Sequence, residues 1–416
     1  MPVGVCSFII AVGLCIVGES ASAADRLVFD EDMRAYKGTA ASGVIASLNR
    51  RLDSGEAKLV HEQAHGYLTA LLHELKIPAA SQLLVASKTS PNKALISPKT
   101  PRALYFNDHV SVAYIPTADL IEVASADPKL GVVFYTLDQR PVAKPRLVRD
   151  DRCLECHSSS KTLNAPGLTV RSFLTKDDGD VEVLSGLLVT HRTPLAERWG
   201  GYYVTGTHGN QVHRGNVFGP EAIARHEKDP SFNANMTELR NFIDVARYPE
   251  PGSDLVALMT LEHQAHAQNL LTRLHYDSVN ALATGNSLRP AYPSVEEALR
   301  YLLFVDEYRL ASPVRGTSDF ARQFEQQGPQ DKQGRSLRQF DLQTRLFKFP
   351  CSYMIYSPTF EALPAEARKH FYRRLWDILD GQDRSPEFAS LTPESRRAIR
   401  EILIETKKDL PAYWRL

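Results

Sequence analysis

The chain has 416 residues, of which 43% are hydrophobic and 24% are charged. These proportions are typical of a packed soluble protein of about two or three domains, and they exclude a disordered or fibrous chain. Lysine plus arginine equals aspartate plus glutamate at 49 each, so no excess of charge favours binding to nucleic acid or to an anionic membrane, and no nucleic-acid partner is expected.

Residues 1–23 are predicted to be a secretory signal peptide. An apolar run over residues 3–18 is followed by an Ala-x-Ala cleavage pattern that ends at Ala23. The run is shorter than the ~20 residues of a spanning helix, but no lysine or arginine precedes it, so an uncleaved N-terminal membrane anchor is the alternative. No later stretch is apolar enough to span a bilayer. The mature chain is therefore expected to be exported to the periplasm and to have no transmembrane span.

Residues 24–218 are predicted to form an α+β domain. Apolar residues at helical spacing predict helices over residues 40–52 and 56–75. Short β-rich runs between Pro, Asn-Asp and Asp-Pro breakers then predict antiparallel strands over residues 83–86, 103–106, 110–115, 120–124 and 132–137. After a polar loop, strand patterns resume over residues 168–174, 181–190 and 202–207. The segment that contains Cys153 thus lies inside this domain.

Residues 219–416 are predicted to form a mostly helical domain. One long helix is expected over residues 254–283, and shorter helices are expected over residues 295–305, 317–326, 365–379 and 394–406. Ser253, Ser294 and Thr392 are placed to cap three of these helices.

Cys153, Cys156 and His157 form a C-x-x-C-H motif, the attachment signature of c-type haem. Two thiols at this spacing on a helical turn reach the two vinyl groups of one porphyrin, and His157 is then directed at the iron as the proximal ligand. A thioredoxin-like redox pair would follow a strand at the start of a helix, whereas a charged loop precedes Cys153. A zinc site would need two more ligands, which Cys351 alone does not supply. We therefore expect one covalent haem c, in agreement with an exported chain.

A Pro166–Gly167 turn follows the motif. In many small cytochromes c a Pro-Gly loop lies at this point, and its backbone carbonyl accepts the N–H of the proximal imidazole, which fixes the ring. An ordinary turn before the strand at Leu168 is the alternative. Lys161 and Arg171 are close enough in sequence to meet haem propionates, although a solvated charge is the commoner role for such residues.

The motif resembles that of exported monohaem c-type cytochromes. Because strands flank it, the chain does not resemble the compact all-helical cytochrome c fold, and a weaker likeness is to PAS-like sensory domains with a haem-bearing loop between strands. That likeness implies an antiparallel PAS-like sheet domain followed by a mostly helical C-terminal domain. Four further segments resemble an uncharacterised family of exported bacterial cytochrome c-like proteins: residues 87–90, 102–108, 199–209 and 351–357. This resemblance covers most of the mature chain and implies a haem without implying a substrate.

Four histidines are candidates for the other axial position of the iron: His263, His266, His208 and His213. The first two share one face of the predicted long helix with Met259 and Glu262, and the alternative for that face is a set of hydrogen-bonded polar groups at a domain interface. The second two lie in a glycine-rich loop, where backbone can approach a cofactor closely, and the alternative is a solvent-facing turn. Cys351 is either a buried apolar side chain or a soft ligand for the iron.

The expected function is one-electron transfer or redox sensing by a periplasmic c-type haem protein, with a redox partner protein of unknown identity. The alternatives are a haem enzyme of the peroxidase type and a sensor of a gas or small ligand, both with an open sixth position. No nucleophile triad, phosphate loop or paired-carboxylate signature is present, so catalysis without the haem is not expected.

Overall fold

The computed structural model describes residues 36–182, 186–285 and 287–415. The predicted signal peptide, residues 1–23, lies outside the described residues. Thr39–Leu416 form one compact unit. Among the described residues, no helix combines the length and the apolar character needed to cross a bilayer.

The predicted α+β class is confirmed by one large antiparallel sheet and a set of helices. The strands are β1 (Leu83–Val85), β2 (Arg102–Phe106), β3 (Val110–Tyr114), β4 (Leu120–Asp127), β5 (Gly131–Asp138), β6 (Leu147–Arg149), β7 (Arg171–Ser172), β8 (Leu187–Leu188), β9 (Tyr202–Tyr203), β10 (Gly206–Thr207) and β11 (Arg315–Gly316). Seven of these described strands form the main sheet in the order β6-β5-β4-β3-β2-β1-β9. Strands β2 to β5 are neighbours both in sequence and in space, because short turns join them.

The helices are α1 (Val44–Ser54), α2 (Leu68–Glu74), α3 (Leu154–His157), α4 (Gly219–Lys228), α5 (Leu255–Gly285), α6 (Tyr292–Leu302), α7 (Phe320–Glu325), α8 (Pro358–Glu361), α9 (Ala365–Leu379) and α10 (Pro393–Thr406). The long helix predicted over residues 254–283 is α5, which is buried on almost every side over its first five turns. One apolar core takes residues from β1, from α5 and from the helices after it. The division predicted at residue 218 therefore separates a sheet-rich part from a helix-rich part, and the two parts share this core.

The two faces of the main sheet differ in what covers them. On one face, side chains such as Val112, Ile121 and Val123 are buried, and Asp127 Oδ2 accepts the backbone N–H of Ser42 at 2.7 Å, which fixes the start of α1 against β4. The opposite face has alternating residues that are only half-buried. Four of them are small, and we call them the open face: Ser111, Ala113, Ala124 and Ala126.

Candidate functional site

The C-x-x-C-H segment lies directly after β6 on a single helical turn. Asp150 begins this turn, because its carboxylate accepts the backbone N–H of Arg152 at 3.1 Å. The turn continues into α3, so Cys153 and Cys156 project from neighbouring positions of one helix. Both are free thiols, and Cys153 is half-buried while Cys156 is exposed. Burial raises the pKa of Cys153 to about 11, which is opposite to the low pKa of a reactive redox thiolate.

His157 is fixed by a backbone carbonyl across the loop that follows it. Its Nδ1 lies 2.9 Å from the carbonyl oxygen of Gly167, and the Gly167 N–H donates to the His157 carbonyl at 2.9 Å. Burial lowers the pKa of His157, which favours the neutral ring. Because Nδ1 then donates its hydrogen to Gly167, Nε2 carries the lone pair that a metal would bind. The hydrogen bond predicted for the Pro166–Gly167 turn is therefore present.

The His157 ring stands over the open face. It packs against the Phe134 ring with the two ring centroids 4.8 Å apart, and Phe134 in β5 is paired with Ala124 in β4. Residues that pair across an antiparallel sheet point to the same side, so the motif overlies a surface built of small side chains.

Charged groups border this surface at its other edge. Glu122 accepts hydrogen bonds from Ser90 Oγ at 2.6 Å and from Asn92 Nδ2 at 3.1 Å, and its carboxylate lies 3.6 Å from Arg102 Nη1. The buried Nε of Arg102 has no hydrogen-bond partner in the described part of the chain. Arg102 is therefore a group on this edge that could bind an anion such as a haem propionate.

Of the two charged residues that the sequence suggested for the propionates, Arg171 is near the motif. Burial lowers its pKa, and the Cys156 thiol and Tyr202 oppose that shift, so its guanidinium lies within electrostatic reach of Cys156. Lys161 is half-buried on the turn that follows α3. Arg102 was not suggested by the sequence, because it is separated from the motif by about 50 residues.

The loop that holds His157 is joined to the long helix by Asn269. The Leu168 N–H donates to Asn269 Oδ1 at 2.9 Å, and Asn269 Nδ2 donates to the Leu168 carbonyl at 2.7 Å. The approach is close enough that a Cβ atom on Gly167 would lie 2.9 Å from Asn269 Cγ and 3.1 Å from Thr162 Cβ. Glycine at position 167 therefore follows from packing against α5.

We expect Gly167→Ala to destabilise the fold and to release the His157 ring. The added methyl group would contact the Asn269 amide, and overpacking of this kind costs roughly 1–3 kcal/mol. Chemical denaturation of the unloaded protein measures the loss. The matched control is Gly285→Ala, since nothing lies within 4 Å of a Cβ at that position. Equal stabilities for the two variants would contradict the account of the loop.

The structure places His263 and His266 away from the motif. Both ring nitrogens of His263 are engaged, Nδ1 with His191 Nδ1 at 2.8 Å and Nε2 with Ser352 Oγ at 2.7 Å. An axial role for His263 would therefore require the loss of one of these hydrogen bonds. His266 is half-buried and packs its ring edge-on against Tyr301 with the centroids 4.8 Å apart. Burial lowers the pKa of His263 to about 3 and that of His266 to about 4, so both rings are neutral at physiological pH.

His208 and His213 are brought together, but with each other and not with His157. Their ring centroids are 4.7 Å apart. His208 Nε2 accepts the Asn235 N–H at 3.1 Å, and His213 Nδ1 accepts the Gly215 N–H at 3.0 Å. Both side chains are buried in this loop, so the solvent-facing alternative is wrong for them.

Cys351 is also remote from the motif in its contacts. Its side chain is 1% exposed and belongs to the apolar core, and burial raises its pKa to about 12. The interpretation of Cys351 as a buried apolar side chain agrees with this environment.

A haem iron needs only one or two protein ligands, and His157 is a residue of the motif that could serve as one. Residues 36–182, 186–285 and 287–415 contain no group of three or more His, Cys, Asp or Glu side chains arranged to hold a bare metal ion. In c-type haem the porphyrin itself supplies four nitrogen ligands, so a haem would not need such a group of side chains. No family model, no curated protein and no solved structure matches this chain.

Proposed function

We propose that the protein is an exported, periplasmic c-type haem protein that carries or senses single electrons. The observation that supports this proposal best is the pairing of the C-x-x-C-H motif with the 2.9 Å contact between His157 Nδ1 and the Gly167 carbonyl. That contact leaves Nε2 free and fixes the ring, which is the arrangement of an axial histidine. A redox disulfide would not need this contact, and a zinc site, which could use it, would need further ligands that the described residues do not bring together.

In this proposal the chain holds one covalent haem c through three residues. Cys153 and Cys156 supply the thioether sulfurs and His157 supplies the proximal nitrogen. The bound group supplies one-electron chemistry, with a potential that depends on axial ligands, hydrogen bonds and burial. The chain's own contribution is to orient His157 through Gly167, to exclude water with Phe134, and to place Arg102 near the porphyrin's carboxylates.

Electron transfer is favoured over catalysis by the exposure of the motif. Cys156 and Glu155 are exposed, so a group attached there would have an edge at the surface, where an unidentified redox partner protein could approach. The finer fold proposal is a PAS-like sheet that carries the haem on the segment after β6. The second candidate function is a peroxidase-type enzyme or a sensor of a small ligand with an open sixth position, which is favoured because His263 and the pair of His208 and His213 are engaged with other groups.

The proposal is tested by maturing the full chain in cells that carry a cytochrome c maturation system. We expect the secreted product to gain the mass of one haem and to give one haem per chain by the pyridine haemochrome assay. We also expect loss of the first 23 residues, and retention of those residues in the membrane fraction would favour the anchor. A secreted, folded chain that never gains haem would rule out the proposed function.

A further inference from the structure

One row of residues crosses five strands of the main sheet on the same side as the open face, and none of its members is buried. Strand pairing aligns these residues, and paired residues of an antiparallel sheet point to the same side. Four of them are half-buried and one is exposed. We call them the uncovered row: Val148 in β6, Thr136 in β5, Glu122 in β4, Ala113 in β3 and Leu104 in β2.

The C-x-x-C-H motif lies beside one end of this row. Strand β6, which contains Val148, leads directly into the motif. Phe134 packs against the His157 ring, and it precedes Thr136 by two residues in β5. Residues two apart on a strand point to the same side. His157 and the uncovered row are therefore neighbours on one side of the sheet.

Arg102 reaches the row from β2. It precedes Leu104 by two residues in that strand, so both side chains point to the same side. Its Nη1 lies 3.6 Å from the Glu122 carboxylate, although β3 separates β2 from β4 and the backbones of those two strands are about 10 Å apart. The two side chains therefore meet above β3, near the small Ala113, which pairs with Glu122.

The Arg102 guanidinium has N–H donors without acceptors. Its buried Nε has no hydrogen-bond partner among the residues that the structure describes, and the 3.6 Å contact with Glu122 is longer than a hydrogen bond. Glu122 accepts its hydrogen bonds from Ser90 and Asn92 instead. Because the Arg102 side chain is only 14% exposed, water replaces few of the missing acceptors. A buried donor without an acceptor is costly, so this site calls for an added acceptor.

The charges around His157 favour an anion as that acceptor. Burial lowers the pKa of His157, and the charges of Arg102 and Arg171 lower it further, whereas Glu122 opposes them. Both guanidiniums also oppose the rise in the pKa of Tyr202 that burial causes. Two cations therefore lie within electrostatic reach of His157, and the single carboxylate of Glu122 does not balance them.

We propose that Arg102 binds a propionate of the haem and thereby fixes the orientation of the porphyrin, with its thioether edge at the motif and its propionate edge toward β2. This inference rests on the proposed function, to which it adds the direction in which the haem lies along the uncovered row. The fork of a guanidinium suits a carboxylate, which it can bind through two hydrogen bonds. Its positive charge also disfavours ferric iron, which carries one more positive charge than ferrous iron, so Arg102 should raise the midpoint potential.

The test uses the full-length, haem-loaded protein, its midpoint potential and its resonance Raman spectrum. We expect Arg102→Gln to keep its covalent haem and its spin state, to have a lower midpoint potential and to shift the propionate bending band. Arg102→Lys keeps the charge but loses the fork, so its potential should stay closer to that of the wild type while the band still shifts.

The matched control is Arg152→Gln, which removes the same charge directly before Cys153. The Arg152 side chain is 83% exposed, and solvent and salt screen an exposed charge. Its potential and its propionate band should therefore stay near those of the wild type. A fall in the potential of Arg102→Gln that is no larger than the fall in Arg152→Gln would overturn the role of Arg102.

The two proposals fail in different ways. A wild type without covalent haem would end the proposed function, and the role of Arg102 would end with it. If haem is present, an unchanged propionate band in Arg102→Gln overturns the role of Arg102 alone. If Arg102→Gln does not fold, the propionate band of Arg102→Lys gives the same decision.

Inorganic phosphate distinguishes the carboxylate of the haem from a free anion at the same guanidinium. The potential and spectrum of the haem-loaded wild type should not respond to added phosphate at constant ionic strength, because a propionate already occupies Arg102. A response in the wild type that Arg102→Gln loses would assign Arg102 to a free anion and overturn its role as a propionate ligand.

Discussion

Replacement of both Cys153 and Cys156 by serine is expected to abolish covalent haem attachment. Each thioether forms when a thiol S–H adds across one vinyl group of the porphyrin, so that the sulfur bonds to carbon and the hydrogen goes to the neighbouring carbon. A serine hydroxyl does not replace the thiol in this addition. The mass of the secreted chain should therefore equal that of the bare polypeptide, and acidified organic solvent should extract any remaining haem.

Two controls separate attachment from ligation. Cys351→Ala should keep its covalent haem, because Cys351 is buried in the apolar core and its contacts are remote from the motif. His157→Ala should also keep the covalent link, since the thioethers use other atoms, but its spectrum and potential should change. Haem that resists extraction from the double serine variant would contradict the assignment of the two cysteines.

Much of the sheet could be predicted from the sequence, because local rules decide it. Strands β3 and β4 alternate buried and half-buried residues, β2 does so over most of its length, and β5 is a mostly buried β-rich run. Polar turns separate these strands, so each pairs with its neighbour. The prediction of one helix over residues 56–75 was wrong in its first half, since only Leu68–Glu74 are helical. The structure has strand β6 where a polar loop was predicted. Its three residues pair with β5, but three residues are too few to show a strand pattern in the sequence.

The predicted N-caps of the helices were right at one helix and wrong at another. Thr392 caps α10 as predicted, since its hydroxyl accepts the Ser395 N–H at 3.2 Å. Ser253 does not cap α5. Its hydroxyl instead donates to the Tyr203 carbonyl at 2.6 Å, and Asp254 accepts the Ala257 N–H at 2.9 Å. Tertiary contact with β9 decided which of two adjacent polar residues became the cap.

The candidate site was predictable where its residues are close in sequence. The motif and the Gly167 carbonyl lie within one short segment, and both were expected. Asn269 and Arg102 were missed because they reach the site through the fold, Asn269 from 101 residues beyond Leu168.

The Glu262 side chain, predicted on the face of α5 beside His263, instead forms the centre of a buried ion pair. It is 1% exposed, and it accepts hydrogen bonds from Arg198 and from Trp199 Nε1, the latter at 2.9 Å. Arg198 is 2% exposed and also donates to the Thr193 carbonyl at 2.7 Å and to the His191 carbonyl at 3.1 Å. These contacts agree with the alternative of hydrogen-bonded polar groups for that face of the helix.

We expect Arg198→Ala to be strongly destabilising. Loss of one partner leaves the other charge buried and uncompensated, which costs roughly 3–5 kcal/mol. The control is Arg322→Ala, since the pair of Arg322 and Asp319 is mostly exposed and such pairs contribute about 0–1 kcal/mol. Chemical denaturation of the unloaded protein measures the free energy of unfolding of both variants. A second variant that combines Arg198→Ala with Glu262→Gln should recover part of the loss, because a neutral amide can still accept the Trp199 N–H.

The free energy of unfolding that Arg198→Ala loses should also depend on pH, and the pKa of Glu262 determines the direction of that dependence. Burial raises the pKa of Glu262 to about 7 from its ordinary 4.5, and Arg198 opposes that rise. Removal of Arg198 therefore raises this pKa further. Between the unfolded and folded pKa values the folded state holds a proton that the unfolded state has lost, so stability falls as pH rises through this window. The difference from wild type should accordingly be smaller at about pH 5, where Glu262 is neutral, than at about pH 8. A difference that stays constant between these conditions would mean that the Glu262 charge is not what Arg198 compensates.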